Sequence, residues 1–472
     1  MAKELLYIAL ANQVQGQITD GALKLGDKLP SLRTVALETG VSMSTALLAY
    51  VELEKRALIS SRPKAGYFVS YVPAQPGRQP SVTSPVYADR EDTPEQLLMS
   101  VSKNKARIKV DLSAGVPDTA WLPVAKMNKA IVEAVRSLPA GGLNYDRLGN
   151  PNLKKQIAQR AMMWSGKLQP DDIVLTSGSM DAISFCLLSV LKKGDNVIVE
   201  SPLYFGILQL AQSLGLNVIE MPTHPVTGIE IDELEKVVAR RKIGAIILVS
   251  NFSNPIGSCM PDEHKQQIVR IAEHHHVPVI EDDLFGDLYF GRERPSCCKS
   301  YDESGIVMLC SSFSKTLAPG YRVGWCAPGQ FKDKVAMTKY LHSLCTASVT
   351  HEAVGRFLEN GRYENHLRKL RNALHTNMLR VQRAIADYLP ENTKVTSPEG
   401  GLHLWVEFDK RIDTVELYNV LIGKGINIAP GRMFTLRNQY RNCMKINFGH
   451  SWNPSMEHAF KVMGQWVSDN RR

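Results

Sequence analysis

Several features are missing from this chain of 472 residues, and most of the absences close off a class of function. It has no uninterrupted apolar run of the ~18–20 residues that cross a bilayer, and no charged-then-apolar pattern at its start. Neither a membrane span nor a secretory leader is expected. Its eight cysteines, Cys186, Cys259, Cys297, Cys298, Cys310, Cys326, Cys345 and Cys443, include no CxxC pair and lie mostly in apolar runs. They read as reduced thiols of a cytoplasmic protein, with no disulfide framework. His274-His275-His276 has no carboxylate spacing that would complete a metal site, so it reads as a polar helix end and no metal is expected. Internal repeats are absent too.

What remains is an ordinary globular composition, 44% hydrophobic and 22% charged, in a chain long enough for several domains and a large core. The net charge of +9 favours a polyanionic partner only weakly. Residues 1–71 carry eight Lys/Arg against six Asp/Glu, a net of +2, so any argument for nucleic acid must rest on motif.

Such a motif is present in residues 1–71. Leu5, Leu6, Ile8, Ala9, Val14 and Ile18 recur at roughly helical spacing. Gly21 and Gly26 mark turns. Ser31 caps a second helix over 32–38, Gly40 breaks it, and Ser42 caps a third running to about Lys55. Ile59 to Val69 alternates around Pro63 and Gly66, the pattern of a two-stranded wing. Two short helices joined by a tight turn, here Thr39-Gly40-Val41, place the second in a major groove. Ser42, Ser44 and Thr45 then offer small hydroxyls to phosphates and bases. Arg33 can clamp a phosphate or a guanine. Arg62 and Lys64 sit at the wing tip beside Gly66, where the backbone can approach DNA. The order Gly-Asp-Lys-Leu-Pro-Ser-x-Arg, Gly-Val-Ser, Tyr50 and a glycine-containing wing resembles the winged helix-turn-helix of the GntR family. That resemblance implies double-stranded DNA as the partner. The residue after Ser42, often Arg in that family, is Met43 here.

Residues 72–107 read as a linker: Pro73, Pro76, Gly77, Pro80 and Pro85 among Ser and Gln, a short helix near Pro94 to Val101, then basic Lys103, Lys105 and Arg107. From 108 to 472 the pattern becomes α/β. Short apolar runs at 174–176, 196–199, 245–249 and 277–280 alternate with amphipathic stretches, as a mostly parallel sheet requires. Strands over 402–408 and 444–448 suggest a smaller C-terminal α+β subdomain, from about 345 to 472.

Polar groups gather at the ends of those runs, where α/β sheets bind ligands. Ser177-Gly178-Ser179-Met180 follows a strand and opens a helix, so its N–H groups can cradle a phosphate. Tyr204 can stack on a flat ring, Asn254 can donate to a phenolic oxygen, and Asp282 can pair with a pyridine nitrogen. Lys315 offers an amine, with Ser312 three residues before it and Arg322 seven after it for a phosphate. Pyridoxal 5'-phosphate needs each of these groups. The set resembles a fold-type I aminotransferase over about 108–470. By that resemblance Lys315 is the catalytic lysine, and Tyr145 reaches the phosphate of the neighbouring subunit, which implies a homodimer. Two positions depart from the family. Phe285 stands where a Tyr hydroxyl meets the phenolic oxygen. Lys445 stands where an Arg binds the substrate α-carboxylate, giving a point charge in place of a bidentate fork. Arg441 is a possible substitute.

The whole order, a winged-helix N-terminal domain, a linker and an α/β fold-type I PLP-dependent transferase-like domain, resembles the MocR subfamily of GntR regulators. The expectation is a DNA-binding regulator that senses a small amine or amino-acid effector. The alternative is a working aminotransferase carrying a DNA-binding appendage.

Overall fold

The computed structural model describes residues 6–20, 22–56, 58–62, 65–70, 79–82 and 108–470. Helices α1 (Leu6–Thr19), α2 (Leu32–Thr39) and α3 (Met43–Lys55) precede an antiparallel pair, β1 (Ile59–Arg62) and β2 (Gly66–Val69). The Ser31 hydroxyl accepts from the Thr34 N–H at 3.2 Å and caps α2; Ser42 caps α3 by accepting from the Thr45 N–H at 3.1 Å. Gly40 closes α2 with φ 67, a left-handed conformation that glycine reaches at little cost. The chain turns by 114° between α2 and α3, the angle of a helix-turn-helix.

The buried face of α1 differs from the expected one. It runs through Ile8, Leu10, Ala11, Val14 and Ile18, while Leu6 is 70% exposed and Ala9 faces solvent. Each residue turns a helix by about 100°, so Ala9 lies on the side opposite Ile18. Leu5, Gly21, Pro63 and Lys64 lie outside the described residues. Tyr50 is fully buried, donates its hydroxyl to the Pro30 carbonyl at 2.9 Å and meets Tyr67 edge-on at 4.9 Å. It thereby joins α3, the turn before α2 and the wing in one core.

The larger unit is built on an eight-stranded sheet in the order β4-β11-β10-β9-β8-β5-β6-β7. Its strands are β4 (Val174–Thr176), β5 (Asn196–Ser201), β6 (Asn217–His224), β7 (Gly228–Ile229), β8 (Ala245–Leu248), β9 (Val279–Asp282), β10 (Val307–Ser312) and β11 (Gly324–Ala327). Strands β5, β6, β8, β9 and β10 run parallel; β11 is antiparallel to both its neighbours. A short parallel pair, β3 (Val110–Asp111) with β14 (Ile426–Asn427), lies beside a four-stranded antiparallel sheet. That sheet has the order β12-β13-β16-β15, from β12 (Lys394–Val395), β13 (His403–Glu407), β15 (Ala429–Pro430) and β16 (Cys443–Asn447).

The smaller core gathers residues between Leu370 and Val467 with Val110 and Leu112 from the start of the unit. Helix Ser348–Leu358 instead sends Val354 and Phe357 into the larger unit with Leu153 and Ile157. The expected start of the subdomain near 345 therefore falls before a helix that belongs to the large core. Leu379, on α5 (Arg362–Tyr388), packs against the core of the N-terminal unit. Most of the expected linker, including its helix and its basic cluster, lies outside the described residues. Within 79–82, the Ser81 N–H donates to Glu407 at 2.7 Å and its hydroxyl accepts from Lys394 Nζ at 2.7 Å. Among the described residues no single helix is long and apolar enough to cross a membrane.

Replacing Tyr50 by Phe should cost the N-terminal unit about 1 kcal/mol, one buried hydrogen bond. Replacing it by Ala should cost about 3–5 kcal/mol through the cavity left behind. Urea denaturation of the full-length chain, followed by a probe in α3, measures both.

Candidate functional site

The C-terminal ends of β4, β9 and β10 open onto a cavity of about 360 Å³. Its wall holds Ser179, Met180, Tyr204, Asn254, Asp282, Lys315, Arg322 and Lys445, all singled out in the sequence. Gly178 is the N-cap of helix α4 (Ser179–Val190), whose first N–H groups face this end of the sheet. Arg322 Nη2 donates to the Ser177 carbonyl at 3.1 Å and its Nη1 to Ser314 Oγ at 3.3 Å, bridging the loops after β4 and β10. Gly178 has φ 102, and a Cβ there would lie 2.4 Å from Arg322 Nη2, so only glycine allows this approach.

Ser312 is placed differently from its expected role. Its hydroxyl accepts from the Ser314 N–H at 3.0 Å, and Ser314 takes the place in the cavity wall. Tyr145 is 71% exposed and lies away from this chain's cavity. Arg441 is bound to Asp413 at 2.6 Å, is largely exposed and lies outside the cavity wall, so it does not substitute for Lys445.

Charge in the cavity is poorly solvated. Burial draws the Lys315 ammonium down to about 8, with Asp282 opposing that shift and Arg322 adding to it. Burial and then Asp283 push the Asp282 carboxyl up to about 7, against the pull of Lys315. Burial and Lys315 likewise bring Lys445 down to about 7, opposed by Asp111. Phe285, which stands where the aminotransferase pattern has a Tyr, is buried and meets His403 edge-on at 5.2 Å.

Beneath the cavity lies an ion network that sequence reading missed. Arg294 pairs with Asp283 and, through Nε, with Asp287 at 2.7 Å; Arg160 reaches Asp287 at 3.1 Å and stacks over Tyr363. Tyr363 donates to Thr316 Oγ1 at 2.7 Å. Burial alone would raise Asp287, but Arg160 and Arg294 outweigh it and hold its carboxyl well below the usual range. The network ties the residue after Asp282 to the residue after Lys315. Other wall residues missed are Ser113, Ala114 and Gly115, which follow β3, a strand of two residues with no readable periodicity.

The residues fit pyridoxal phosphate. Asp282 Oδ1 and Asn254 Oδ1 are buried acceptors with no hydrogen-bond partner, and both residues line the cavity. A protonated ring nitrogen would supply the donor that Asp282 lacks, and the side-chain N–H of Asn254 would donate to the phenolic oxygen. The α4 N-terminus and Arg322 would hold the phosphate. When bound, this cofactor supplies an electrophilic carbon for an amine and a ring that withdraws electrons.

On the N-terminal unit, Arg33 and Ser44 are exposed, and Met43 is 51% exposed. The hydroxyls of Ser42 and Thr45 bond each other at 2.8 Å in the cap, which leaves Met43 and Ser44 as the open groups of the first turn of α3. Gly66 is exposed at the wing, where it pairs with Arg62.

Gly178→Ala should weaken pyridoxal phosphate binding by roughly tenfold or more, because strain at that φ and the displaced Arg322 act together. Spectrophotometric titration of cofactor-free protein measures it, and the structure of the N-terminal unit should be unchanged by circular dichroism.

Comparison with known proteins agrees with this architecture. Residues 107–460 match the family of class I and II aminotransferases, and residues 6–69 match the bacterial regulatory proteins of the gntR family. The uncharacterized HTH-type transcriptional regulator YjiR of Escherichia coli K12 is 38% identical over 464 residues, covering 98% of each chain. YdcR, another uncharacterized HTH-type transcriptional regulator of that strain, is 32% identical over 466 residues, covering 98% of this chain and 99% of its own. Among solved structures, kynurenine aminotransferase of Pyrococcus horikoshii, determined in complex with PMP, is 25% identical with a TM-score of 0.74, covering 81% of this chain and 96% of that one. With a gntR-type helix-turn-helix joined to a class I and II aminotransferase fold, and end-to-end similarity to HTH-type regulators, the chain belongs to the GntR-family regulators of the MocR architecture.

Proposed function

We propose that this protein is a DNA-binding transcriptional regulator whose aminotransferase-like unit holds pyridoxal phosphate on Lys315 and senses an amine-bearing effector. The observation that carries the reading is the cavity at the strand ends, with Lys315, Asn254 and the unpartnered Asp282 oxygen, in one chain with a helix-turn-helix. Gly178, Ser179, Met180 and Arg322 take the phosphate, with Ser312 acting through Ser314. Tyr204 stacks on the ring, and Lys445 receives an effector carboxylate. Arg33, Ser44 and the wing residues Arg62, Lys64 and Gly66 contact DNA, while Ser42 and Thr45 present the helix.

The assembly proposed is a homodimer in the cytoplasm. Tyr145 stands among Leu143 and Leu148, 91% and 86% exposed, an apolar surface suited to a second copy. Units 1–71 and 108–472 are the reading head and the sensor. The contact of Leu379 with the head core and the tie of Ser81 to Lys394 and Glu407 give the effector state a route to the head. An effector moves such an equilibrium only by its differential affinity for the two states.

Lys315→Ala should abolish the visible band of bound cofactor and the response to amines, while leaving affinity for DNA from upstream of its own gene within about threefold of the parent. Gel-shift titration with and without amino acids tests this. Sustained release of a 2-oxo acid by the parent would favour the aminotransferase reading.

A pH dependence follows from Lys445, which Lys315, His403 and Asp111 face. A carboxylate is held by its protonated form. The preference for an amino acid over the amine that lacks its carboxylate should therefore be greatest below pH 7 and fall as pH rises through it. Paired absorbance titrations from about pH 6 to about pH 9 measure the ratio.

A further inference from the structure

Strands β13 and β16 pair antiparallel, with Trp405 opposite Lys445 and His403 opposite Asn447. Side chains alternate along a strand, so His403 and Lys445 share one face as diagonal neighbours. That face looks toward Lys315. A Cβ built on Gly115 would lie 3.8 Å from His403 Cε1 and 3.9 Å from Lys315 Nζ, so the missing Cβ leaves a niche between the two side chains.

Three nitrogen-bearing side chains thus converge, with Asp282 the counter-charge of Lys315. Asp111 faces Lys445, but its Oδ1 already accepts from Ser113, Ala114 and Asn427, and Lys445 forms no hydrogen bond or ion pair among the described residues. His403 is 1% exposed, and neither ring nitrogen has a hydrogen-bond partner. Burial, then Lys445 and Lys315, keep its ring far below its ordinary pKa, so it is a neutral imidazole with one N–H to donate. An unmet donor in a dry site calls for an explanation, and a ligand supplies one. Lysine is a point charge and cannot fork onto both oxygens of a carboxylate as a guanidinium does.

We propose that His403 is the second half of a carboxylate subsite: Lys445 takes one oxygen and the His403 ring N–H donates to the other, so that the effector is an α-amino acid in preference to a simple amine. The inference rests on the reading of the Lys315 site given above. His403 is a specificity-determining residue in this scheme, and its charge-neutral ring explains how it sits beside two lysines without repelling them.

The test uses full-length holoprotein and its visible absorbance. Each of a panel of α-amino acids is titrated beside the amine left when its carboxylate is removed, alanine with ethylamine for example. The parent should prefer the amino acids. His403→Phe keeps an aromatic ring against Phe285 but has no donor, and should lose roughly tenfold to hundredfold in affinity for amino acids, with the amines within about twofold. His403→Asn still donates and should keep the preference within about threefold, and it provides the test if the Phe variant does not fold. Equal losses for both members of each pair, or an unchanged preference in His403→Phe, would overturn the proposal, as would a parent that ignores the carboxylate. A parent without any cofactor band would overturn the Lys315 reading itself, whereas a normal band with unchanged preference removes only the role of His403.

Discussion

Lys315 and Asp282 are two charges held in a cavity too dry to solvate either, and much of the surrounding structure serves to keep them there. Each shifts the other toward its charged form, yet burial dominates both. Such a pair survives only if the backbone on either side cannot relax to bring in water or a surface partner. The buried Arg294 and Arg160 ion network provides that rigidity, since it locks Asp283 and Asp287 on one side and, through Tyr363, Thr316 on the other. The antiparallel β11 adds a second restraint. It begins directly after Arg322 and Val323 and brings Gly324 against Gly178, which sets the guanidinium between the loops after β4 and β10.

The departures from the aminotransferase pattern make sense as a group. Phe285 lacks the hydroxyl expected at its position, and its ring lies against the edge of His403. His403 in turn shares its sheet face with Lys445. A Tyr and an Arg would make a different electrostatic environment from a Phe and a Lys. The set present here lacks the Tyr hydroxyl and offers a lysine point charge in place of a guanidinium fork. Both features suit reversible recognition better than rapid turnover, because turnover depends on groups preorganised for the transition state.

The N-terminal unit obeys the same economy on a smaller scale. Its core is too small to tolerate an unpaired polar group, and Tyr50 places its one hydroxyl on the Pro30 carbonyl while its ring fills the centre. That contact positions the turn before α2 relative to α3, and so fixes how the recognition helix stands on its support. Met43 and Ser44 are exposed in the first turn of α3, beside the exposed Ser42 that caps the helix.

Much of the site was legible in the sequence because its groups lie within a few residues of short apolar runs, and strands that run parallel deliver their ends to one edge. Gly178 to Met180, Tyr204, Asn254 and Asp282 could be brought together on that ground, Lys315 and Arg322 by what pyridoxal phosphate requires, and the caps Ser31 and Ser42 by their place before helical stretches. The rest depended on relations that linear spacing does not carry. Strand β11 is four residues long and opens with a glycine, too short for alternation to show. The choice of Leu10 and Ala11 over Leu6 and Ala9 in α1 required the helix to find its neighbours. His403 comes beside Lys445 through cross-strand register, and Asp111 and Gly115 come to this side of the sheet through a strand pair more than three hundred residues apart in the chain. Local chemistry determined which residues could act. Which polar atoms were left without partners, and therefore which ones await a ligand, was decided only when the sheets closed around them, because an unmet hydrogen bond is a property of the finished packing.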